Sequence, residues 1–243
     1  MNVVHEFSRF AKQYNSHNII QNRVAKELVS KIDKNYYASI VDIGCGSGAI
    51  YKNILNSDIE FSKFIALDFS TEMLELHPVS SIIKKNIFDF NNIENFKESI
   101  KKVDNQIIVS SSALQWSQDI DVTLREMSLY GEKFYCSFFT SNTFSTIHKI
   151  ANISSPIYSK EKILEVFSRY YTFSYEVKNY QLKFEDTRSI FKYIKQSGVN
   201  GKGNKLKYRE MKKIIDIYPY DYLEFEVLFI VGSVKPTTRF SRP

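Results

Sequence analysis

The sequence predicts an α/β protein in which a mostly parallel sheet carries helices on both faces. Between residues 38 and 140, short apolar segments alternate with stretches in which apolar residues have helical spacing, and this alternation is typical of β-α-β units. The first apolar segment runs into three alternating glycines, Gly44, Gly46 and Gly48, which predicts a tight strand-to-helix turn. The second apolar segment ends in Asp68. Ligands of such sheets bind at the carboxyl ends of the strands, so these residues mark the predicted site.

Local signals support each element of the alternation. Ser70 or Thr71 supplies a side-chain N-cap for a short helix that ends at His77-Pro78, and Asp119 supplies one for a helix that runs to about residue 130. Apolar runs bounded by polar residues predict the strands. The predicted strands are 39–43, 63–68, 80–86, 106–110 and 133–140, and the predicted helices between them are 48–56, 70–78, 91–102 and 119–130.

The segments on either side of this core are predicted to be mainly helical. In the first 35 residues, apolar side chains recur at steps of three and four. Beyond Thr140, two helices precede a long strand, and two further helices precede a last strand and a loose tail. The predicted helices are 142–151, 160–169, 187–197 and 205–217, the strands are 171–184 and 224–233, and the tail is 236–243. We expect a single domain over residues 1–235.

Composition limits the class of protein. The chain has 243 residues, of which 43% are hydrophobic and 25% charged, as in an ordinary globular protein with a large core. No apolar run approaches the length of a membrane span, and the first residues lack the apolar core of a secretion signal. We therefore expect a cytoplasmic protein that does not bind membranes. The two cysteines, Cys45 and Cys136, predict neither a disulfide framework nor a metal site.

The net charge of +6 is unevenly distributed. The stretch 192–213 is rich in Lys and Arg and contains a single acid, Glu210. This stretch is either a docking site for an acidic partner or a solvated face. We expect no nucleic-acid partner, because no RNA-binding module and no aromatic platform accompany the basic residues.

The segment 41–48, Val-Asp-Ile-Gly-Cys-Gly-Ser-Gly, carries the strongest functional signal. Glycines allow the backbone to approach a ligand where a Cβ atom would collide. Asp42 lies within the apolar strand, where a carboxylate is expensive without a partner. Asp68, twenty positions after Gly48, is placed to accept hydrogen bonds from ribose hydroxyls. Together these features predict a site for an adenosine-containing cofactor.

The glycine spacing distinguishes between cofactors. A dinucleotide site prefers G-x-G-x-x-G with a helix N-terminus aimed at a pyrophosphate, whereas this chain has G-x-G-x-G preceded by Asp42. S-adenosylmethionine has no phosphate but carries an ammonium and a carboxylate. Loop N–H groups can donate to that carboxylate, and Asp42 can balance the positive charge. The segment resembles the glycine motif of class I methyltransferases, which implies S-adenosylmethionine as cofactor and a Rossmann-like, seven-stranded, mostly parallel sheet with a helical lid.

Within that class, the chain resembles the malonyl-acyl carrier protein O-methyltransferases of biotin synthesis over nearly its whole length. The resemblance is strongest at Ser112-Ala-Leu-Gln-Trp116, which contains the only tryptophan. Other segments similar to that family are 7–14, 21–28, 139–150, 194–198 and 222–229. Two positions depart from the family pattern. Only Gly131 remains of a Pro-Gly-Gly turn, and Asn86 replaces an acid that faces the adenine amino group, although its oxygen can still accept that bond.

The resemblance implies transfer of a methyl group to the free carboxylate of a malonyl thioester on acyl carrier protein. The resulting methyl ester primes pimeloyl and biotin synthesis. A carboxylate is ionised at neutral pH, so we expect no general base, no catalytic triad and no metal. The acidic carrier protein suits the basic stretch 192–213. The expected organisation is lid helices over 1–35, a cofactor-binding core over 36–140, substrate-side elements over 141–220 and the last strand over 221–235.

The resemblance also implies roles for individual residues. Asn86 and Ile87 are expected to contact the adenine, Met73 to pack on it, and Tyr14 to fold over the cofactor. The expected cofactor-binding residues are Tyr14, Asp42, Gly44, Cys45, Gly46, Asp68, Met73, Asn86, Ile87, Ser110 and Leu114. The expected substrate-binding residues are Gln115, Trp116 and His148, each of which also has a purely structural interpretation. The candidates for meeting the malonyl carboxylate are Arg9, Arg23, Arg125 and Arg188, and the sequence does not choose among them.

Two alternative functions remain open at this point. One is methylation of another small carboxylic acid or a quinone precursor. The other is a non-catalytic, cofactor-binding partner protein.

Overall fold

The structure is a computed structural model that describes residues 18–196 and 208–236. The strands are β1 (Tyr36–Tyr37), β2 (Ser39–Ile43), β3 (Glu60–Phe61), β4 (Phe64–Asp68), β5 (Ile83–Ile87), β6 (Gln106–Ser111), β7 (Lys133–Phe139), β8 (Tyr171–Lys183) and β9 (Tyr222–Val234). The α-helices are α1 (Ile19–Ser30), α2 (Ala49–Ile54), α3 (Thr71–Leu76), α4 (Ile93–Ser99), α5 (Ile120–Met127), α6 (Ser145–Ala151), α7 (Lys160–Tyr170), α8 (Thr187–Gln196) and α9 (Tyr208–Ile217). A single 3₁₀ turn, Leu114–Trp116, follows β6.

Seven strands form one sheet in the order β5-β4-β2-β6-β7-β9-β8. The first five of these strands are parallel to one another. Strand β9 is antiparallel to both β7 and β8, and pairs with β8 over its full thirteen residues. The predicted seven-stranded, mostly parallel sheet is confirmed. Its strand order places the ends of β2 and β4 side by side, where the glycines and Asp68 lie.

The core has two layers, one on each face of the sheet. Neighbouring residues of β2 alternate between them, so that Ile40 belongs to the layer under α1 and α2, and Val41 to the layer under α4, α5 and α7. Both side chains are fully buried. Because the centre of the sheet is covered on both faces, the central strands β2, β4 and β6 are buried almost continuously rather than at alternate residues.

Local capping matches the sequence. The Ser70 hydroxyl accepts a hydrogen bond from the Met73 N–H at 3.2 Å, and the Asp119 carboxylate accepts one from the Asp121 N–H at 3.0 Å. Each bond satisfies an amide that the first helical turn leaves without a partner. The predicted starts of α3 and α5 are therefore confirmed.

Several predicted boundaries were wrong by a few residues. The strand expected from residue 80 begins at Ile83, because a turn closed by the Ile83 N–H and the Ser80 carbonyl, 3.1 Å apart, precedes it. The helix expected over 91–102 is restricted to α4. The parallel pair β1–β3, which joins Tyr36 to Glu60, was not predicted because two residues are too few to show a period. The expected helix before residue 18 and the tail beyond residue 236 lie outside the described residues.

The described helices include none that is long and apolar enough to cross a bilayer.

Candidate functional site

The glycine turn that joins β2 to α2 is held by contacts on two sides. Gly44, Gly46 and Gly48 have φ values of 72°, 51° and 84°, in the left-handed region that side chains disfavour. A Cβ atom at Gly44 would lie 2.2 Å from the Cβ of Ala113, and one at Gly48 would lie 2.7 Å from the ring of Pro78. A Cβ at Gly46 would meet no atom within 4 Å. The turn is thus closed at its two ends and open at its middle glycine.

The amides of this turn are used within the protein. The N–H groups of Gly44 and Cys45 both donate to the Leu67 carbonyl, at 2.8 and 3.0 Å, and the Gly46 N–H donates to Asp68 Oδ2 at 2.8 Å. The expectation that the loop offers free N–H donors to a ligand carboxylate is therefore wrong for these three amides. Their contribution to a site is the shape of the turn.

Asp68, at the end of β4, connects the turn to α3. Its Oδ1 accepts a hydrogen bond from the Ser70 N–H at 2.9 Å, while Oδ2 accepts the bond from Gly46. Burial raises the pKa of this carboxyl above its usual value, and the hydrogen bonds from Ser70 and Gly46 oppose that rise. Each oxygen keeps a second lone pair, so the carboxylate can still accept bonds from a ligand.

Asp42 is the most unusual residue of the site. It lies within β2 opposite Ala66 of β4 and Val109 of β6, and it is fully buried. Neither carboxylate oxygen has a hydrogen-bond partner among the described residues. Burial raises the pKa of Asp42 well above its usual value, and the charge of Asp68 raises it further. Buried carboxylates are normally paired, so this orphaned pair of oxygens points to a ligand with hydrogen-bond donors or positive charge.

An apolar surface borders the acidic end of the turn. Met73 is buried, while Ile87, which pairs in register with Asp68, is 61% exposed. Asn86 is half-buried beside it. The sequence reasoning missed Phe69, which directly follows Asp68 and is 40% exposed. Two exposed apolar side chains at adjacent strand ends offer a flat ring a surface to pack on.

Ser110 and Leu114 were expected to line the floor of the site. Both are buried, and the Ser110 hydroxyl donates to the Ile43 carbonyl at 2.7 Å. Their side chains face the protein, and a role as floor remains a prediction. Between them, Ser112 has a φ of 57° and donates its N–H to the Ser137 carbonyl at 3.0 Å. This strained turn packs against Gly44 through Ala113.

The Gln115-Trp116 signature forms the 3₁₀ turn after β6. Gln115 is buried and its Nε2 donates to the Ser112 carbonyl at 2.7 Å. Among the described residues its Oε1 accepts no hydrogen bond. Trp116 is partly exposed. The structure brings this pair close to the glycine turn, because Ala113 of the same segment touches Gly44.

A second polar cluster lies where β7 ends and β9 begins. Glu224 accepts hydrogen bonds from the Thr146 N–H at 2.6 Å and the Tyr218 hydroxyl at 3.0 Å. Glu226 accepts them from Thr140 Oγ1 at 2.5 Å and Asn142 Nδ2 at 3.1 Å. We call these two glutamates and their donors the β7–β9 clasp. The sequence reasoning did not single the clasp out, since an acid at every second residue of a strand is also typical of a solvated edge.

His148 lies on α6, above this clasp. It is half-buried, and within the described part of the chain its Nδ1 has no hydrogen-bond partner. Burial lowers the pKa of His148 below its usual value, and the charge of Glu224 opposes that shift. The imidazole is therefore neutral at physiological pH.

The candidate arginines lie in different places. Arg23 lies on α1 in a cleft that Ser47 and Ala49 of the glycine turn also line. Arg125 is an exposed residue of α5, 3.4 Å from Glu126. Arg188 is exposed on α8. The remaining candidate, Arg9, lies outside the described residues, as do Tyr14 and residues 197–207 of the basic stretch.

The strand order, the reversed β9 and the glycine turn define the fold of the class I methyltransferases. Solved structures agree with this assignment. The YcgJ protein of Bacillus subtilis has a TM-score of 0.62, 13% identity, and covers 88% of this chain and 98% of its own. A geranyl diphosphate methyltransferase in complex with S-adenosylmethionine has a TM-score of 0.54 and 13% identity, and covers 88% of this chain and 85% of its own. The predicted Rossmann-like methyltransferase fold is confirmed.

Sequence comparison is more specific. A malonyl-acyl carrier protein O-methyltransferase of Chlorobium phaeovibrioides is 25% identical over 214 residues, which are 84% of this chain and 81% of that protein. One from Neorickettsia risticii is 24% identical over 244 residues, 95% of each chain. No family model matches the chain. The resemblance to the malonyl-acyl carrier protein O-methyltransferases is confirmed, and these relatives support a methyltransferase.

Proposed function

We propose that this protein transfers the methyl group of S-adenosylmethionine to the free carboxylate of a malonyl group carried by acyl carrier protein. The observation that carries the proposal is the buried Asp42, whose two oxygens have no hydrogen-bond partner among the described residues, in the strand that leads into the turn left open at Gly46. Asp42 lies in a chain whose relatives are named for this reaction. A site with a carboxylate lacking donors and a turn lacking a side chain suits a cationic nucleoside.

The chain offers contacts for each part of the cofactor. Asp42 would balance the charge of the methionine end, with Gly44, Cys45 and Gly46 shaping the turn below it. Asp68 would accept bonds from the ribose. The surface proposed for the adenine is formed by Phe69, Met73, Asn86 and Ile87. Bound S-adenosylmethionine supplies a methyl group on a sulfonium that a nucleophile can take.

The acceptor side requires little acid–base chemistry. A malonyl carboxylate is ionised at neutral pH, so no residue has to remove a proton from it. The chain's contribution is then to orient the acceptor, and good orientation can lower a barrier by about 7–11 kcal/mol. Gln115, Trp116 and His148 are the proposed contacts, since Gln115 Oε1 and His148 Nδ1 are polar atoms without partners among the described residues.

The proposal is tested by incubating the protein with malonyl-acyl carrier protein and isotopically labelled S-adenosylmethionine, followed by intact-mass measurement of the carrier. We expect the carrier to gain the labelled methyl group. The matched control is acetyl-acyl carrier protein, which has no free carboxylate and should gain none. Equal labelling of both carriers, or labelling of neither, would contradict the proposal.

A second candidate, methylation of a quinone precursor, is favoured by one observation. A phenolic acceptor needs a base, and the half-buried His148 suits that role, because burial lowers its pKa and its Nδ1 has no hydrogen-bond partner among the described residues. A screen of phenolic acceptors with the same labelled cofactor separates the two, because transfer to a phenol should require His148 and transfer to a malonyl carboxylate should not. Binding of the cofactor without transfer to any acceptor would instead favour a non-catalytic partner protein.

A further inference from the structure

An open cleft of about 390 Å³ lies between α1 and α2, beside the glycine turn. Its lining residues come from both helices and from the turn itself. They are Asn22, Arg23, Lys26, Ser47, Ala49, Lys52 and Asn53. The position is set by the packing of α1 on α2, whose apolar residues belong to the same core layer. We call this feature the α1–α2 cleft.

The α1–α2 cleft is lined by three cations and no acid. Arg23, Lys26 and Lys52 are all exposed, and within residues 18–196 and 208–236 none of them forms an ion pair. The one acid of α1, Glu27, is already engaged, with its Oε1 at 2.5 Å from Lys178 and 3.3 Å from Lys31. Those two lysines lower the pKa of Glu27. The positive charge of the cleft is therefore not compensated by a neighbouring carboxylate of the described chain.

The cleft is physically joined to the proposed cofactor site. Lys52 Nζ donates to the Ser47 carbonyl at 2.9 Å, so one wall of the cleft is tied to the residue that follows Gly46. Ser47 and Ala49 flank Gly48, one of the three left-handed glycines. A molecule bound in the cleft would thus lie at the rim of the site rather than on a distant face.

We propose that the α1–α2 cleft docks the acidic surface of the carrier protein that delivers the acceptor group. This inference rests on the proposed function. All three cations are exposed in an open cleft, which suits several carboxylates of a protein surface better than one dehydrated phosphate. Exposed, uncompensated charge also accelerates encounter with an oppositely charged partner, and salt screens that effect. The carrier would then present its acyl group at the glycine turn.

The experiment compares two double charge reversals that change net charge equally. The test variant is Arg23→Glu with Lys26→Glu, which leaves the Lys52–Ser47 bond intact. The control variant is Lys101→Glu with Lys102→Glu. These two lysines are exposed and lie just before β6, at the amino end of that strand, whereas the glycine turn follows the carboxyl end of β2. For each variant, fluorescence anisotropy gives the Kd for malonyl-acyl carrier protein at low and high salt, and calorimetry gives the Kd for S-adenosylmethionine. Circular dichroism checks that both variants are folded.

We expect the test variant to weaken carrier binding by about tenfold or more at low salt, with a smaller difference at high salt. The control variant should stay within about twofold of the original protein, and the Kd for S-adenosylmethionine should change in neither. Equal loss in both variants would show a net-charge effect only. Loss of cofactor affinity in the test variant would assign the cleft to the cofactor. Either result overturns the inference, as does a lack of carrier binding by the original protein.

A further arm addresses the phosphate of the carrier's prosthetic arm. Apo-carrier, which lacks that arm, should bind nearly as well as malonyl-carrier and should show the same dependence on Arg23 and Lys26. If binding requires the arm, the cleft recognises its phosphate and the inference is wrong. Failure of the proposed function has a different signature, because the carrier would then bind in the cleft without gaining a methyl group.

Discussion

Acidic side chains lie at two places near the carboxyl ends of the parallel strands, and they differ in burial and in hydrogen bonding. At the end of β2, Asp42 is fully buried and its two oxygens have no partner among the described residues. Where β7 ends and β9 begins, Glu224 and Glu226 are less buried, yet each accepts at least two hydrogen bonds. Asp42 is thus the carboxylate whose burial costs more free energy, and it is also the one without partners among the described residues.

This difference separates the proposed binding site from a structural clasp. A folded chain normally satisfies its buried polar groups, and the β7–β9 clasp does so with backbone and side-chain donors of its own chain. Asp42 departs from that rule beside a turn that is open at Gly46. Acidic residues occur at several strand ends of this sheet, and the lack of partners among the described residues is what singles out Asp42 as the proposed ligand contact.

The largest expected effects come from two alanine substitutions in the glycine turn. Gly44→Ala places a Cβ 2.2 Å from Ala113 in a left-handed backbone, so we expect a loss of about 2–5 kcal/mol of unfolding free energy. Gly46→Ala has the same strain without the clash, so it should lose only about 1–2 kcal/mol. It should nevertheless weaken S-adenosylmethionine binding by about tenfold or more, because its methyl group occupies the open space. Chemical denaturation and calorimetry measure the two effects. If Gly46→Ala bound S-adenosylmethionine as tightly as the original protein, the glycine turn would not differ from the clasp in function.

The clasp should behave in the opposite way. Glu226→Ala leaves the hydroxyl of Thr140 and the amide of Asn142 without their acceptor. We expect a loss of about 1–3 kcal/mol of unfolding free energy with no change in the Kd for S-adenosylmethionine. Denaturant unfolding with and without cofactor gives both values. A selective loss of cofactor binding would show that the clasp belongs to the site.

Asp42 predicts a pH dependence of stability in the ligand-free protein. Since burial raises the pKa of Asp42 well above 3.8, the folded state keeps a proton that the unfolded chain has already lost above about pH 4. Stability should therefore fall as the pH rises from there toward the raised pKa. Asp42→Asn removes that part of the fall and should raise the melting temperature near neutral pH by about 2–4 °C, the equivalent of roughly 1 kcal/mol in a chain of this size. Burial also raises the pKa of Asp68. The stability of the Asp42→Asn variant should therefore still fall with rising pH, but less steeply. If the stability of the two proteins depended on pH in the same way, ionisation of Asp42 would not destabilise the folded state and the prediction would be wrong.

The smallest expected effect is that of His148→Gln. Glutamine keeps a hydrogen-bonding side chain but cannot act as a base. If the acceptor is a carboxylate, kcat should change by less than about threefold, because no proton has to be removed. Steady-state kinetics with malonyl-acyl carrier protein measure this. A loss of two orders of magnitude with this substrate would contradict the view that His148 only contacts the acceptor.

The sequence predicted much of the cofactor half, because its signals are local. Three glycines after an apolar run dictate a left-handed turn, and Ser70 and Asp119 cap the helices that follow them. The other half depends on contacts between distant segments. Nothing near Glu226 in the sequence indicates that Thr140 will meet it 86 residues away. Phe69 could have been noticed, since an exposed aromatic residue directly after an acidic strand end is unusual in a solvated loop.

The contact between Gly44 and Ala113 also has an evolutionary consequence. A Cβ at position 44 would lie 2.2 Å from the Cβ of Ala113, so position 44 tolerates a larger residue only if the backbone at position 113 withdraws. Homologous chains with a residue other than glycine at position 44 should therefore show compensating changes around position 113, and the two columns of an alignment should covary. Selection on the glycine turn thereby constrains the segment that follows β6, the two parts of the chain proposed to hold the cofactor and the acceptor.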